Sequence, residues 1–451
     1  MSFINKILSL GISRIKFKIK KNRQKNEIKN TTVSLNKKIE KINKNIDTVF
    51  FITATRSDLY LKPWYSIFEE FKRERKSFVI FTSDITTSLI LQKEGLPHVN
   101  LFEEMNFLQN YFKNLKNNQF KEFFNKINLE DTNILGTNPI IEELLNATFR
   151  SVAIITLCDF ILKEKNPKSL VGMADGEMLE CLAIETAKKY RIPTFSRNPT
   201  LINPHPILAN WFHAEKIFMD GVKHAETFIN LGYSKERILL VGNPKYDLYK
   251  NTNIIDAKNI VEKKYSINKT KKMIIIAMAR WRKNDEKWMS NFIKFCNKNN
   301  IEIVIKIHPK FKIASNQISR DKIQSIKNSC MNLKYLITYD IELLELIPAS
   351  DLIITDYSNV GLEAVVAGKP LISINFFKEN YQLFNELRID RFGASLYIED
   401  YNELEKNILE IFEHRKYINE LKRNQEKIVN QYNYHNDGKA SNRIFKILQK
   451  I

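Results

Sequence analysis

The sequence predicts an α/β protein of two doubly wound domains facing one another across a cleft, behind a basic N-terminal helical extension. Three observations carry that prediction. Short apolar runs rich in β-branched residues recur along the chain, each followed by a polar turn and a helical stretch, the rhythm of β-loop-α units on a parallel sheet. The chain has 451 residues, 43% of them hydrophobic, with 29 Phe, which is more than one core takes up. The window 351–370, DLIITDYSNVGLEAVVAGKP, spells out one whole unit: an apolar strand, a polar turn, a helix stopped by Gly368 and Pro370, and the start of a second strand.

Taken in order, residues 2–20 place Phe3, Ile4, Ile7, Leu8, Ile12, Ile15 and Ile19 mostly on one helical side, with Lys6, Arg14, Lys16, Lys18 and Lys20 supplying charge. Residues 21–46 are Lys/Asn-rich and read as a linker. Strands are then expected at 48–54, 77–82, 169–172, 192–195, 216–219 and 238–241. Helices are expected from Pro63, over 88–95, within 101–150, and over 178–190 and 223–231. Residues 245–270 show no compelling core pattern and read as a connection between domains. A second alternating series follows, with strands at 272–277, 301–307, 334–337, 351–355, 371–376 and 396–398 and helices at 287–299, 319–328, 342–347 and 361–367. The segment 381–387 is expected to cover the cleft. Residues 404–430 read as one long amphipathic helical region, and a last helix carries Ile444, Ile447 and Leu448 on one side. The expected divisions are 1–46, 47–250, 251–270, 271–430, and a C-terminal helix at 431–451 packing back on the first domain.

Residues 1–50 hold 13 Lys/Arg against 3 acidic groups, so half of the chain's net charge of +20 lies in about a ninth of its length. An anionic surface suits that asymmetry. Nucleic acid is not expected as a partner, because no zinc finger, RRM signature or basic zipper accompanies the charge. The four cysteines are scattered and read as reduced thiols. No 18-residue apolar segment is present, and no cleavable leader pattern is seen.

Chemistry is expected where strands end. The turn after 351–355 sets Tyr357, Ser358 and Asn359 at a helix N-terminus, where free amides and the helix dipole favour a phosphate. Glu363, five residues after Ser358, is placed to reach a ribose hydroxyl pair. IVIKIHPK (303–310) delivers His308, Pro309 and Lys310 past a strand, and the imidazole can donate to a departing phosphate. Arg280 and Arg282 follow another strand as partners for a pyrophosphate. Across the cleft, Asp175 and Glu177 in ADGE are carboxylates able to deprotonate a hydroxyl, with His205 as a rival base. Ordinary roles compete: Asp175-Gly176 as a turn, Glu177 and Ser358 as caps, His213 and His224 as structural groups. There is no HExxH, EF-hand, Walker A, GxGxxG or DxD, so no metal and no cofactor is expected.

These residues carry a resemblance. GYSKERILLVGNPKYD (232–247), KIHPK (306–310), ITDYSNVGLEAVVAGKPLI (354–372) and YHNDGKASNRI (434–444) make the chain similar to bacterial GT-B glycosyltransferases, with two Rossmann-like domains. It most resembles the glycerophosphotransferases that use CDP-glycerol in teichoic-acid and capsule synthesis. The resemblance spans about residues 165–445. It implies that Ser358, Asn359 and His308 bind the donor's phosphates, and that Glu363 with Gly368-Lys369-Pro370 forms a nucleotide-ribose segment. UDP-N-acetylglucosamine 2-epimerase-like proteins share the series. The sequence departs from the glycerophosphotransferase pattern after the strand expected at 192–195. There the family carries His-Gly, its proposed base, and this chain reads SRNPTLINPHP. A weaker likeness, to bacterial sialyltransferases, rests on ADGE and IHP, whose acid and histidine serve as base and phosphate ligand.

The expected function is therefore metal-independent transfer of a sugar from a nucleotide-activated donor, CMP- or CDP-linked, to an oligosaccharide, surface polysaccharide or glycolipid acceptor. Residues 2–20 would hold the protein peripherally on the cytoplasmic face of the inner membrane, against anionic lipid. The alternatives are CDP-glycerol-type polyol-phosphate transfer, sugar-nucleotide epimerisation, and a basic nucleic-acid-binding or scaffold role.

Overall fold

A computed structural model describes residues 37–40, 46–52, 61–114, 139–173, 177–197, 212–278, 285–307, 317–339, 341–356, 358–378 and 388–451. The amphipathic stretch 2–20 and the segment 381–387 lie outside the described residues.

The fold is α/β with two all-parallel sheets. The first has seven strands in the order β3-β2-β1-β4-β5-β6-β7. These are β1 (Thr48–Ile52), β2 (Phe78–Thr82), β3 (His98–Asn100), β4 (Ser169–Gly172), β5 (Thr194–Arg197), β6 (Lys216–Met219) and β7 (Ile238–Leu240). The second has six strands in the order β10-β9-β8-β11-β12-β13. These are β8 (Met273–Met278), β9 (Glu302–Ile307), β10 (Leu336–Thr338), β11 (Leu352–Thr355), β12 (Leu371–Ile374) and β13 (Leu396–Ile398). In each sheet the winding reverses beside the first strand, between β1 and β4 and between β8 and β11. Open sheets of this order bind ligands at that reversal, beyond the C-terminal strand ends.

Burial on both faces explains the unbroken apolar runs. In β1, TVFFI, every residue is buried. Phe51 packs with Phe81, Ile154 and Ile161 on one face. Phe50 takes the other, ringed edge-on by Trp64, Phe68 and Phe71. The helix Ala440–Gln449 returns to this second face, where Ile444, Phe445 and Leu448 join the same cluster.

Four local readings change. The 245–270 stretch is two helices, Pro244–Asn251 and Ile254–Tyr265, burying Tyr246, Tyr249, Ala257 and Val261 in the second domain's core. Exposed Leu248, Ile254, Ile255 and Ile260 stand among the buried positions and blur the periodic signature. The region 404–430 is two helices, Tyr401–Glu413 and Arg415–Tyr432, separated at His414. The edge strand β3 carries a single apolar residue, Val99, and its sequence gave no strand pattern. The strand expected at 192–195 lies two residues later, because polar Thr194, Ser196 and Arg197 are buried in it.

None of the four cysteines is paired. Among the described residues no helix is long and apolar enough to cross a membrane.

Candidate active site

The edge expected to take the donor is built where three neighbouring strands end. Met278 of β8 is in register with Ile307 of β9, and Ala277 of β8 with Thr355 of β11. Adjacent strands lie about 4.8 Å apart, so the chain leaves β9 and β11 about 10 Å from one another, on either side of β8. His308 follows Ile307 directly in the sequence; it lies outside the described residues, as do Pro309, Lys310, Arg280, Arg282 and Tyr357.

The turn after β11 is tied down from below. The Thr355 hydroxyl donates to the Ala277 carbonyl on β8, and Asp356 is buried. Ser358 then takes the extended conformation of an N-cap, and its Oγ accepts from Val360 N at 3.2 Å. A hydroxyl that accepts in this way keeps its proton for an incoming oxygen. Asn359, the first residue of the helix Asn359–Val366, is exposed. The helix buries almost everything else it carries, so this polar rim is its one outlet to the strand-end edge.

Glu363 is buried one turn further along. Its carboxylate accepts from Lys245 Nζ at 2.8 Å and from the Tyr249 hydroxyl. Both partners lie on the helix Pro244–Asn251, which follows β7 of the first sheet. Burial, then the Glu363 charge, pushes the Tyr249 hydroxyl well above its ordinary range, so it remains a donor. Tyr246 is raised by burial first, then by Glu363 and Asp220. Gly368-Lys369-Pro370 is not part of this edge. Lys369 precedes β12, and its ammonium is spent on the carbonyls of Pro348 and Ser350 at 2.6 and 2.9 Å. Burial lowers its pKa to about 8.

On the first sheet, Asp175 and His205 lie outside the described residues. Glu177 is described: it is exposed at the N-cap position of the helix Met178–Lys189, and its side chain makes no capping bond. The neighbouring strand ends hold a group that sequence reasoning left unassigned. Arg197 closes β5 and donates through Nη2 to Asp220 Oδ1 and Oδ2 at 3.0 and 3.1 Å. Asn243 Nδ2 donates to Asp220 Oδ2 at 2.8 Å, while Asn243 Oδ1 caps the helix carrying Lys245 and Tyr249 by accepting from Lys245 N at 3.0 Å. His224 is buried beside this group, edge-on to Phe228, and burial lowers its pKa, which favours the neutral imidazole. The signal for Arg197 and Asp220 was present as a charge at the end of FSR and of FMD, but neither has a motif around it.

The two edges meet. Lys62, opening the helix Lys62–Arg73 of the first domain, pairs with Glu342 of the second at 2.5 Å. Ser66 Oγ donates to the Pro244 carbonyl at 3.3 Å. Among the described residues no group of three His, Cys, Asp or Glu is placed to hold a metal ion.

Two facing, doubly wound sheets with polar groups gathered at their strand ends define an enzyme of the two-domain GT-B transferase class. Residues 213–450, more than half of the chain, match the model of the CDP-glycerol:poly(glycerophosphate) glycerophosphotransferase family. The chain belongs to that family. No curated protein matches it at the level of sequence. Among solved structures it is similar to the wall teichoic acid polymerase TagF, with a TM-score of 0.55 and 12% identity over 95% of this chain and 97% of that one. It is similar to UDP-GlcNAc 2-epimerase from Neisseria meningitidis, bound to UDP-GlcNAc, with a TM-score of 0.58 and 16% identity over 90% and 100%. A glycosyltransferase from Rickettsia africae aligns with a TM-score of 0.52 and 12% identity over 90% and 99%. At these identities the likeness is one of fold.

Proposed function

We propose that the enzyme transfers a polyol phosphate from a cytidine-activated donor, held by the second domain, to a hydroxyl of a polysaccharide or glycolipid acceptor bound against the first. The observation that carries this reading is the exit of β8, β9 and β11 at one edge, beside the Ser358 cap, in the domain that the family match covers. In the proposed reaction the acceptor oxygen attacks the phosphorus bearing the polyol. The bond to the bridging oxygen of the nucleoside monophosphate breaks, its electrons leave with that oxygen, and the acceptor's proton passes to a base. Asp175 is the first candidate for that base, with Glu177 and His205 as rivals. His308, Ser358 and Asn359, helped by Arg280 and Arg282 and framed by Pro309, Lys310 and Tyr357, stabilise the departing phosphate. Glu363 holds the ribose.

Sugar transfer is the second reading. It is favoured by the acceptor half, where strands β1–β5 precede the family match and β5 ends in Arg197 rather than His-Gly. The protein would act peripherally at the cytoplasmic face of the membrane, held by residues 2–20.

Thermal unfolding with CMP, CDP, UDP and GDP tests the donor. A ligand specific to the folded state raises Tm, by mass action worth about 2.7 kcal/mol at a hundredfold excess over Kd. CMP or CDP should stabilise most, and turnover of CDP-glycerol should require an acceptor. Stabilisation by UDP alone, with UDP released from UDP-N-acetylglucosamine in the absence of any acceptor, would replace transfer by epimerisation.

A further inference from the structure

Arg197 is 1% exposed, yet only one of its three guanidinium nitrogens is satisfied. Nη2 is held by Asp220, whereas Nε and Nη1 have no acceptor among the described residues. A guanidinium carries five N–H donors, so three are buried here without a partner. That arrangement is costly and calls for a reason. Elsewhere this chain satisfies its buried cations with backbone carbonyls. Lys306 donates to Ile307 and Tyr339, Lys369 to Pro348 and Ser350, and Lys165 to Ile39. Arg197 differs from all three: it is gripped on one side and unpartnered on the other. Its grip is itself fixed, since Asp220 also takes Asn243 Nδ2, and the Asp220 carbonyl takes Tyr434 N at 2.7 Å. Groups braced in this way are preorganised to bind. The place also suits a ligand, because β5 ends on the edge that meets the donor side. Tyr246 feels both the Arg197 and the Glu363 charge.

We propose that Arg197 is the anion-binding residue of the acceptor half: Nε and Nη1 receive an oxyanion, a phosphate or a carboxylate, carried by the acceptor. Asp220 already balances the charge, so the site selects by directed N–H donors and not by net attraction. It should therefore prefer oxyanions to chloride. The word acceptor rests on the transferase reading; the anion site itself does not.

The test is thermal unfolding of the full chain titrated with inorganic phosphate, glycerol 1-phosphate and glucuronate. Chloride holds the ionic strength constant, and each titration is run with and without CDP or UDP. At least one oxyanion should raise Tm where chloride does not. A response to the phosphates points to a phosphate-bearing acceptor, and one to glucuronate points to an acidic sugar. The double variant Arg197→Gln/Asp220→Asn keeps a neutral hydrogen-bonded pair and should lose about tenfold in apparent oxyanion affinity. Its response to CDP or UDP should stay unchanged. Should that variant melt too low to titrate, Arg197→Lys keeps the ion pair, lacks the planar fork, and should weaken the same response. The proposal is overturned if no oxyanion stabilises the wild-type chain, or if the variants respond as it does. Loss of the nucleotide shifts in the wild-type chain, with an Arg197-dependent oxyanion response intact, would sink the donor reading and leave the anion site standing.

Discussion

Glu363 has two partners before any ligand arrives, and both come from the helix that follows the first sheet. Under the proposed role of Glu363 as the ribose ligand, a carboxylate fixed in this way would present a defined edge, so Glu363→Gln should act on donor binding. The expected outcome is a rise of about tenfold in KM for the nucleotide donor with a smaller change in kcat, the pattern of lost uniform binding. Equal losses in kcat and kcat/KM would instead place Glu363 in the transition state. Ser358→Ala removes an N-cap and should cost about 1 kcal/mol of stability in denaturant titrations. Asp175→Asn separates base from bystander: turnover near the wild-type rate in a folded variant would remove Asp175 from the mechanism. His224 gives a pH signature. Burial holds its folded pKa below the unfolded one, helped by Arg197 and opposed by Asp220. The unfolded chain therefore takes up a proton first as pH falls through about 6.5, and stability drops from there until the folded pKa is reached. The slope from this residue is at most about 1.4 kcal/mol per pH unit. His224→Asn should flatten it, and an unchanged slope would show that other groups set the acid limit.

At the scale of elements, the strands with apolar runs were readable because both faces are buried. In the first sheet β4 and β6 were legible in the same way, whereas β5, which carries Arg197, was expected two residues early. β5 is TFSR, a strand whose burial comes from its neighbours and whose last charge is neutralised by a residue 23 positions away. Nothing local announces such a pairing. Ser358 was readable for the opposite reason, since its cap, helix and stop signal all lie within a dozen residues. The pivotal helix Pro244–Asn251 escaped notice because its work is done by polar tips, those of Lys245 and Tyr249 on Glu363. One contact between elements is steric. A Cβ at Gly221 would stand 2.4 Å from the Gln431 carbonyl oxygen and 2.5 Å from the Tyr432 carbonyl carbon. Its φ of −158° is ordinary extended backbone, so strain is not the reason for glycine here. Gly221→Ala should destabilise by about 1–3 kcal/mol through overpacking, read from the denaturant midpoint; a neutral result would mean that the two helix ends separate freely.

For the whole molecule, the two-sheet plan was legible from the alternation of elements, and the sequence also led to the expectation of a C-terminal helix against the first domain. Ile444, Phe445 and Leu448 lie in the same cluster as Trp64 and Phe71. Asp247 caps their helix through Ala440 N at 3.0 Å and Ser441 N at 2.8 Å. Each buried side chain of this kind is worth about 1.5–3 kcal/mol. Removing residues 440–451 should therefore lower stability by several times that amount, and the first domain should lose protection in hydrogen exchange before the second.

The polypeptide passes between its two lobes twice, and the passages touch: Asn243 N donates to Asn433 Oδ1 at 2.8 Å. Two ropes knotted at one spot behave as a single fulcrum. Whatever swing the lobes undergo must turn about that knot, so strand ends far from it sweep the widest arc. Arg197 and Glu363 sit close to the axle, and their spacing should hardly alter while the rims open and shut.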